Sequence, residues 1–273
     1  MSPSVLRLGV VRFLNAVPLI SGLEVCEGVT LEPAVPSRLL SRLEEGAVDL
    51  ALASSIDYQR ASADLCILPV GALGSLSETW TVRLWSAVPF DEMETVCCDT
   101  DSHTSVALLK IVLQNKYCVV PRLEPFDASA VNGEAASWPE AVLLIGDKVV
   151  SGSPPAASHR YQLDLGGAWR DMTGLPFVFG AWMGRADLPQ EFVLRAAMLL
   201  DRQRRRNTAR LEELVSADGP PRGWQVEEGL RYLRDHIEYA SGSDQLESIE
   251  RFHQMAMQCG VIDQVRPIRC FEV

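Results

Sequence analysis

A chain of 273 residues, 47% apolar and 22% charged, is a folded globule with enough core to need no covalent staples. Its formal net charge of −11 excludes the basic footprint that nonspecific nucleic-acid binding requires. The same charge repels small anions at long range, so an anion site has to be built from local donors. The length suits one large domain or two smaller ones. The cysteines (Cys26, Cys66, Cys97, Cys98, Cys118, Cys259 and Cys270) are odd in number and lack Cys-x-x-Cys spacing. They read as free thiols in a reducing compartment, with neither a disulfide framework nor a zinc site.

In chain order, residues 5–11 form an apolar, β-branched run that predicts a buried strand. Arg12, Asn15 and Pro18 interrupt the apolar stretch beyond it, so no run of signal-peptide length remains. No later stretch approaches the ~18 uninterrupted apolar residues of a membrane span. A cytoplasmic protein without a membrane partner is expected. Asn15 precedes a helix-like stretch with Pro18 in its first turn, where proline is tolerated. Residues 30–35 predict a second strand. Pro36 and Ser37 open a helix with Leu39, Leu40 and Leu43 on one face and Arg38, Arg42, Glu44 and Glu45 on the other, ended by Gly46. Strands are predicted at 49–53 and 65–70. This β-α-β-α-β alternation implies a mainly parallel, helix-covered sheet.

A second such unit comes next. Residues 95–98 predict a strand that ends on the polar cluster 99–105 and runs into a helix from Val106 to Leu113. Another buried strand is expected at 141–145, then Gly146-Asp147, and a short helix near 166–172. After Phe177-Val178-Phe179 the chain turns helical, at 191–206, 226–239 and 244–259, with Gly219-Pro220-Pro221-Arg222-Gly223 as a break. Strand-like crossings near 80–88 and 177–183 suggest two lobes around a cleft, with the C-terminal helices returning to the first lobe.

Ligands of open α/β sheets sit beyond the carboxyl ends of the strands. The candidates are therefore Asn15, Ser54, Ser55, the cluster 99–105, Asp147 and Asp164. In 99–105, Ser and Thr residues at a helix start offer unpaired backbone N–H groups, hydroxyls and the positive end of the dipole, a carboxylate or phosphate site. Ordinary N-capping by Asp101 or Ser102 explains the same residues. Asp99 and Asp101 must then point away from an anion or pair elsewhere. Asn15 fits a helix cap as well as a ligand contact, and Ser54-Ser55 fits a ligand contact or a helix start. His103, His159, His236 and His253 share no metal-ligand spacing, and His236 and His253 are expected on solvated helices. Arg202-Gln203-Arg204-Arg205-Arg206 reads as an exposed helix end. No Walker loop, Gly-x-Ser-x-Gly elbow or dinucleotide fingerprint is present.

Several segments in order resemble the chorismate dehydratases of the futalosine route to menaquinone. They are Phe13-Leu14-Asn15-Ala16-Val17-Pro18-Leu19, Ser54-Ser55-Ile56-Asp57-Tyr58, residues 99–105, and Leu144-Ile145-Gly146-Asp147. Asp164-Leu165-Gly166 with Trp169 and Thr173-Gly174-Leu175-Pro176-Phe177-Val178-Phe179 continue the series. The match spans roughly residues 5–185, and the C-terminal helices match only in general character. The resemblance implies a two-lobed α/β fold of the type II periplasmic-binding-protein kind, with mixed sheets flanked by helices and a ligand cleft between lobes. Residues 1–88 with 180–273 would form one lobe and 89–179 the other.

It further implies a carbon–oxygen lyase, a hydro-lyase that removes water from chorismate to give 3-[(1-carboxyvinyl)oxy]benzoate. No cofactor and no metal are implied. The partner is a small dicarboxylate, without nucleic acid, and the oligomeric state is left open. Asn15 becomes the catalytic-site residue, and Ser54, Ser55, Thr81, Ser102, His103, Thr104, Ser105 and Asp147 the substrate-binding set. Either the enolpyruvyl carboxylate of the substrate takes the proton with Asn15 positioning it, or Asp147, Asp99 or His103 acts as base. The sister enzyme that releases 1,4-dihydroxy-6-naphthoate carries a Ser-Pro-Cys-Pro-Asn-Asp-Thr-like motif where this chain has Phe-Leu-Asn-Ala. A non-catalytic anion-binding protein is the other alternative, disfavoured by the missing secretion signal; a regulator's effector domain lacks its DNA-binding helix pair here. One segment departs from the family. Its Ser-x-Gly-x-Val-x-Ser-Val form is replaced by Ser75-Leu76-Ser77-Glu78-Thr79-Trp80-Thr81-Val82.

Overall fold

The computed structural model describes residues 5–128 and 138–273. The chain runs through β1 (Leu6–Val10), a 3-10 turn (Leu14–Ala16), α1 (Val17–Ile20), β2 (Val29–Pro33), α2 (Pro36–Glu44) and β3 (Leu50–Ser54). It continues through α3 (Asp57–Arg60), β4 (Leu65–Ser75), β5 (Val82–Ser86), β6 (Thr95–Asp99), α4 (His103–Lys116), β7 (Arg122–Phe126) and β8 (Ala141–Ile145). Next come α5 (Lys148–Ser151), β9 (Tyr161–Asp164), α6 (Leu165–Thr173) and β10 (Phe177–Arg185). Four helices close the chain: α7 (Gln190–Thr208), α8 (Leu211–Asp218), α9 (Val226–Arg231), which runs into a π-helical turn (Tyr232–His236), and α10 (Ser243–Gln258).

Two five-stranded sheets result, ordered β2-β1-β3-β10-β4 and β7-β6-β8-β5-β9. In the first, β2, β1 and β3 are parallel and β10 runs against β3 and β4. In the second, β7, β6 and β8 are parallel and β5 runs against β8 and β9. In each sheet the strand opposed to its neighbours is the one by which the chain arrives from the other lobe, so both sheets are mixed. The parallel strands β3 and β8 are buried at all five positions, as strands covered on both faces must be. Helix α2 seats Leu39 and Leu43 in the core and ends at Gly46, whose φ of +69° suits glycine.

Three expectations are corrected. Strand β5, inside the 1–88 span, is hydrogen-bonded into the second sheet because it pairs with β8 and β9. Helix α10 returns to the first lobe only in part: Leu246 and Ile249 pack with the first-lobe core, whereas Phe252, Met255, Ala256 and Cys259 pack with residues of α4, β6 and β8. The helix expected at 226–239 stops at His236, because Glu238 forms an antiparallel bridge to Gly74, with N–H to carbonyl bonds in both directions. Among the described residues no helix is long and apolar enough to cross a membrane.

Candidate active site

The strand ends β1, β3, β6 and β8 meet where the two sheets face each other, and the chain segments after them enclose a cavity. The empty space there measures ≈ 570 Å³ with its open mouth included. Phe13, Leu52, Leu73, Ile145 and Phe179 give it apolar walls, and Asn15, Ser54, Thr79, Thr81, Ser102 and Ser105 supply its polar side chains. Among the described residues that line it there is no Asp, Glu, His, Lys, Arg, Cys or Tyr. Donors here are hydroxyls, one amide and the N-terminus of α4.

Ser102 is the N-cap of α4: its Oγ accepts from Ser105 N–H at 3.2 Å and lies 2.9 Å from Ser105 Oγ. Of the first-turn N–H groups, those of His103 and Thr104 lie outside this cap, with the helix dipole behind them. The two aspartates beside this site share one lysine as partner. Lys148 Nζ donates to both oxygens of Asp99 at 2.9 Å and to Asp101 at 2.6 Å. Burial pushes the Asp99 carboxyl up in pKa and Lys148 pulls it back.

Of the nine residues expected at the site, Asn15, Ser54, Thr81, Ser102 and Ser105 line the cavity. The other four hold the lobes together. Thr104 Oγ1 accepts from Ile56 N–H at 3.2 Å and lies 3.3 Å from Ser55 Oγ, which donates to the Val178 carbonyl. His103 Nδ1 sits 2.8 Å from the fully buried Asp57 carboxylate. Asp147 accepts from Leu14 N–H at 3.2 Å and from Trp224 Nε1–H at 2.7 Å, with Arg222 at 4.0 Å. Burial raises the Asp147 pKa; Trp224, Leu14 and Arg222 oppose that rise. Gly146 completes the seam. Its φ is +61°, and an added Cβ would sit 2.8 Å from the Phe13 ring across the cleft.

His253 corrects the expectation of a solvated helix position, being fully buried. Its Nδ1 is 2.9 Å from Gln59 Nε2 and its Nε2 is 2.9 Å from the Ser55 carbonyl. An amide nitrogen donates and a carbonyl accepts, which sets the neutral tautomer with the proton on Nε2. Burial lowers its pKa to about 4.

Sequence reasoning missed the support that the C-terminal segment brings to the wall. Tyr232 lies 2.6 Å from Thr81 Oγ1, and Tyr239 donates to the Asn15 carbonyl at 3.0 Å. Trp224 stacks on Tyr232 at 4.6 Å. Scattered buried aromatics look like ordinary core in a sequence, so no signal marks them.

A family model described as menaquinone biosynthesis matches residues 6–258. The chorismate dehydratase of Thermus thermophilus is 33% identical over 225 residues, which is 77% of this chain and 80% of that protein. The chain belongs to the chorismate dehydratase family of menaquinone biosynthesis. A protein of Archaeoglobus fulgidus shares the fold at TM-score 0.74 and 14% identity, over 96% of this chain and 100% of that one. The periplasmic aliphatic sulphonate binding protein of Escherichia coli does so at TM-score 0.65 and 14% identity, over 98% and 94%. The chorismate dehydratase family thus uses, in this member, a periplasmic-binding-protein-like fold with mixed sheets.

The segment that departs from the family's usual form is held at its base. Asp164 accepts from the N–H groups of Thr79, Trp80 and Gly167 at 2.7–3.0 Å. Trp80, at φ +65°, faces away from the cavity, stacked on His236 at 4.1 Å and topped by Arg231 at 4.9 Å. Thr79 and Thr81 turn inward. The unusual tryptophan therefore leaves the cavity wall hydroxylic.

Proposed function

We propose that this protein is a hydro-lyase that dehydrates chorismate to 3-[(1-carboxyvinyl)oxy]benzoate. The observation that carries this reading is an anion-compatible cavity between the lobes without a titratable side chain among its described lining residues, in a chain of this family. A reaction run there has to bring its own base, and chorismate has one in its enolpyruvyl carboxylate. That carboxylate takes the ring proton from the carbon bearing the ether. The C–H electron pair forms the new ring double bond, the neighbouring C–O bond breaks, and hydroxide leaves with the proton as water. No electrons are gained or lost, and aromatisation drives the step.

The two substrate carboxylates need two donor sets. The N-terminus of α4 with Ser102 and Ser105 serves one, and Ser54, Thr81 and the first-lobe backbone serve the other, with Asn15 as the positioning amide beside the reacting carbons. The residues considered as protein bases are otherwise engaged: Asp99 with Lys148, His103 with Asp57, and Asp147 with Leu14 and Trp224. Exclusion of water by the shut cleft keeps the carboxylate basic. Mixing the protein with chorismate and following a new aromatic absorbance tests this. A matching product mass is expected; chorismate left intact for hours by folded protein sinks the proposal.

A further inference from the structure

The cavity has a neighbour on its outer side. Phe13 and Pro36 line the cavity and also line a hollow on the surface of the first lobe, together with Arg12, Pro33, Ala34 and Val35. The same two residues stand beside contacts between the lobes. A Cβ added to Gly146 would meet the Phe13 ring at 2.8 Å, and Ser37 N–H, next to Pro36, donates to the Asp101 carbonyl at 3.0 Å. Hollow and cavity are therefore two sides of one rim, which follows the seam between the lobes.

The two sides differ in charge. Among its described lining residues the cavity has no cation. Arg12 lies between Val11 and Phe13, which line the cavity, yet it is itself exposed and lines the hollow. Among the described residues its guanidinium has no ion pair and no hydrogen bond. Two other cations at the seam are engaged, Lys148 with Asp99 and Asp101, and Arg222 with Asp218 and the Arg12 carbonyl. No Asp or Glu is among the described residues of the hollow, and Val35 exposes apolar surface there. An unpaired guanidinium beside exposed apolar surface suits an anion that carries a ring.

We propose that this hollow is an entry site, where Arg12 captures the dicarboxylate substrate before it passes between Phe13 and Pro36 into the cavity. This rests on the chorismate reading and extends it. A protein of net charge −11 repels a dianion at long range, and a rim cation opposes that repulsion where it matters. Arg12 takes one carboxylate on its forked N–H donors while the ring rests on Val35 and Pro36. Parting of the contacts at Gly146 and Asp101 opens the way inward. There the ligand exchanges the guanidinium for hydroxyls and the N-terminus of α4, so Arg12 acts on arrival and not on the chemical step.

Association of 3-[(1-carboxyvinyl)oxy]benzoate, followed by stopped-flow tryptophan fluorescence with calorimetry for affinity, tests the assignment. At about 20 mM salt, where charges are felt over roughly 20 Å, the association rate constant of Arg12→Gln is expected to fall on the order of fivefold. At about 500 mM salt the two proteins should agree to within about twofold. Arg12→Lys keeps most of the wild-type rate. Val35→Arg added to Arg12→Gln returns a cation to the same hollow and should recover at least half of the loss. Equal rates for Arg12→Gln and the wild type at low salt overturn the proposal. So does a deficit that persists at high salt or resists the relocated charge, either of which marks a structural role, and so does a wild type that does not bind the probe. Chorismate turnover by the same wild-type preparation reports separately on the reaction: salt-dependent capture without turnover keeps the entry site and removes the dehydratase reading.

Discussion

At the scale of single residues, two side chains have opposite relations to charge. Asn15 is neutral in a cavity proposed to hold two carboxylates. Asn15→Asp adds a negative charge there; at about 4 Å and an effective dielectric of 20 that costs on the order of 4 kcal/mol. A fall of at least tenfold in kcat/KM for chorismate is expected, with the fold unchanged by circular dichroism. Near-normal turnover rules out the role of Asn15 beside the substrate carboxylate. His253 is a neutral imidazole locked between Gln59 and Ser55. The unfolded chain takes up a proton here as pH falls through about 6.5, whereas the native ring resists until about 4. Its contribution to stability is therefore complete above 6.5 and drains away between 6.5 and 4, by about 3 kcal/mol. Urea midpoints at pH 7 and 4.5 should differ less in His253→Gln than in the wild type. An equal drop in both proteins removes His253 as the source.

At the scale of elements, the turns after strands do the positioning. Gly146 ends β8 in a left-handed turn and leaves room for Phe13. Gly146→Ala strains the backbone by roughly 1–2 kcal/mol and drives a methyl into the Phe13 ring. Chorismate turnover should fall at least tenfold, and Phe13→Ala in the same background should recover part of it because the two side chains share one space. Full turnover in Gly146→Ala would falsify the packing of that turn against the opposite lobe. Strand ends were also the most legible feature of the sequence. Ser102 and Ser105 were readable because a strand running into Ser and Thr at a helix start has few meanings. Ser55, Thr104, His103 and Asp147 occupy equally polar strand ends, yet they bond across the seam and not into the cavity. Sequence patterns place a polar residue at a strand end but do not give its rotamer. Helix periodicity likewise carried 226–239 too far, because the Gly74–Glu238 bridge that stops the helix joins residues far apart in the chain.

At the scale of the whole molecule, polar contacts at Asp57, Thr104 and Asp147 join the lobes, and those at Asp147 also reach the C-terminal segment. Asp147, on the second lobe, receives Leu14 N–H from the first lobe and Trp224 Nε1–H from the C-terminal segment. Asp147→Ala leaves both donors without that partner, so the open form should gain population. A rise in KM larger than the fall in kcat, with a larger radius of gyration by X-ray scattering, is the expected pair of changes. An unchanged radius of gyration and KM would remove Asp147 from closure. The two-lobed plan was legible because the βα alternation occurs twice. The place of β5 in the second sheet and the packing of α10 against both lobes were not, since both are set by partners distant in sequence.

The position of β10 between β3 and β4 has a consequence for how the protein is made. Among the described residues, strand β4 has no strand partner in its sheet except β10. As the chain leaves the ribosome, Leu65–Ser75 emerges roughly 100 residues before Phe177–Arg185, a wait on the order of 5–20 s at ordinary rates of synthesis. During that interval a long, mostly apolar strand has its hydrogen-bonding edges free, an invitation to pair with other nascent chains. The first lobe is thus the part most dependent on holding factors during synthesis, although most of its strands are translated first.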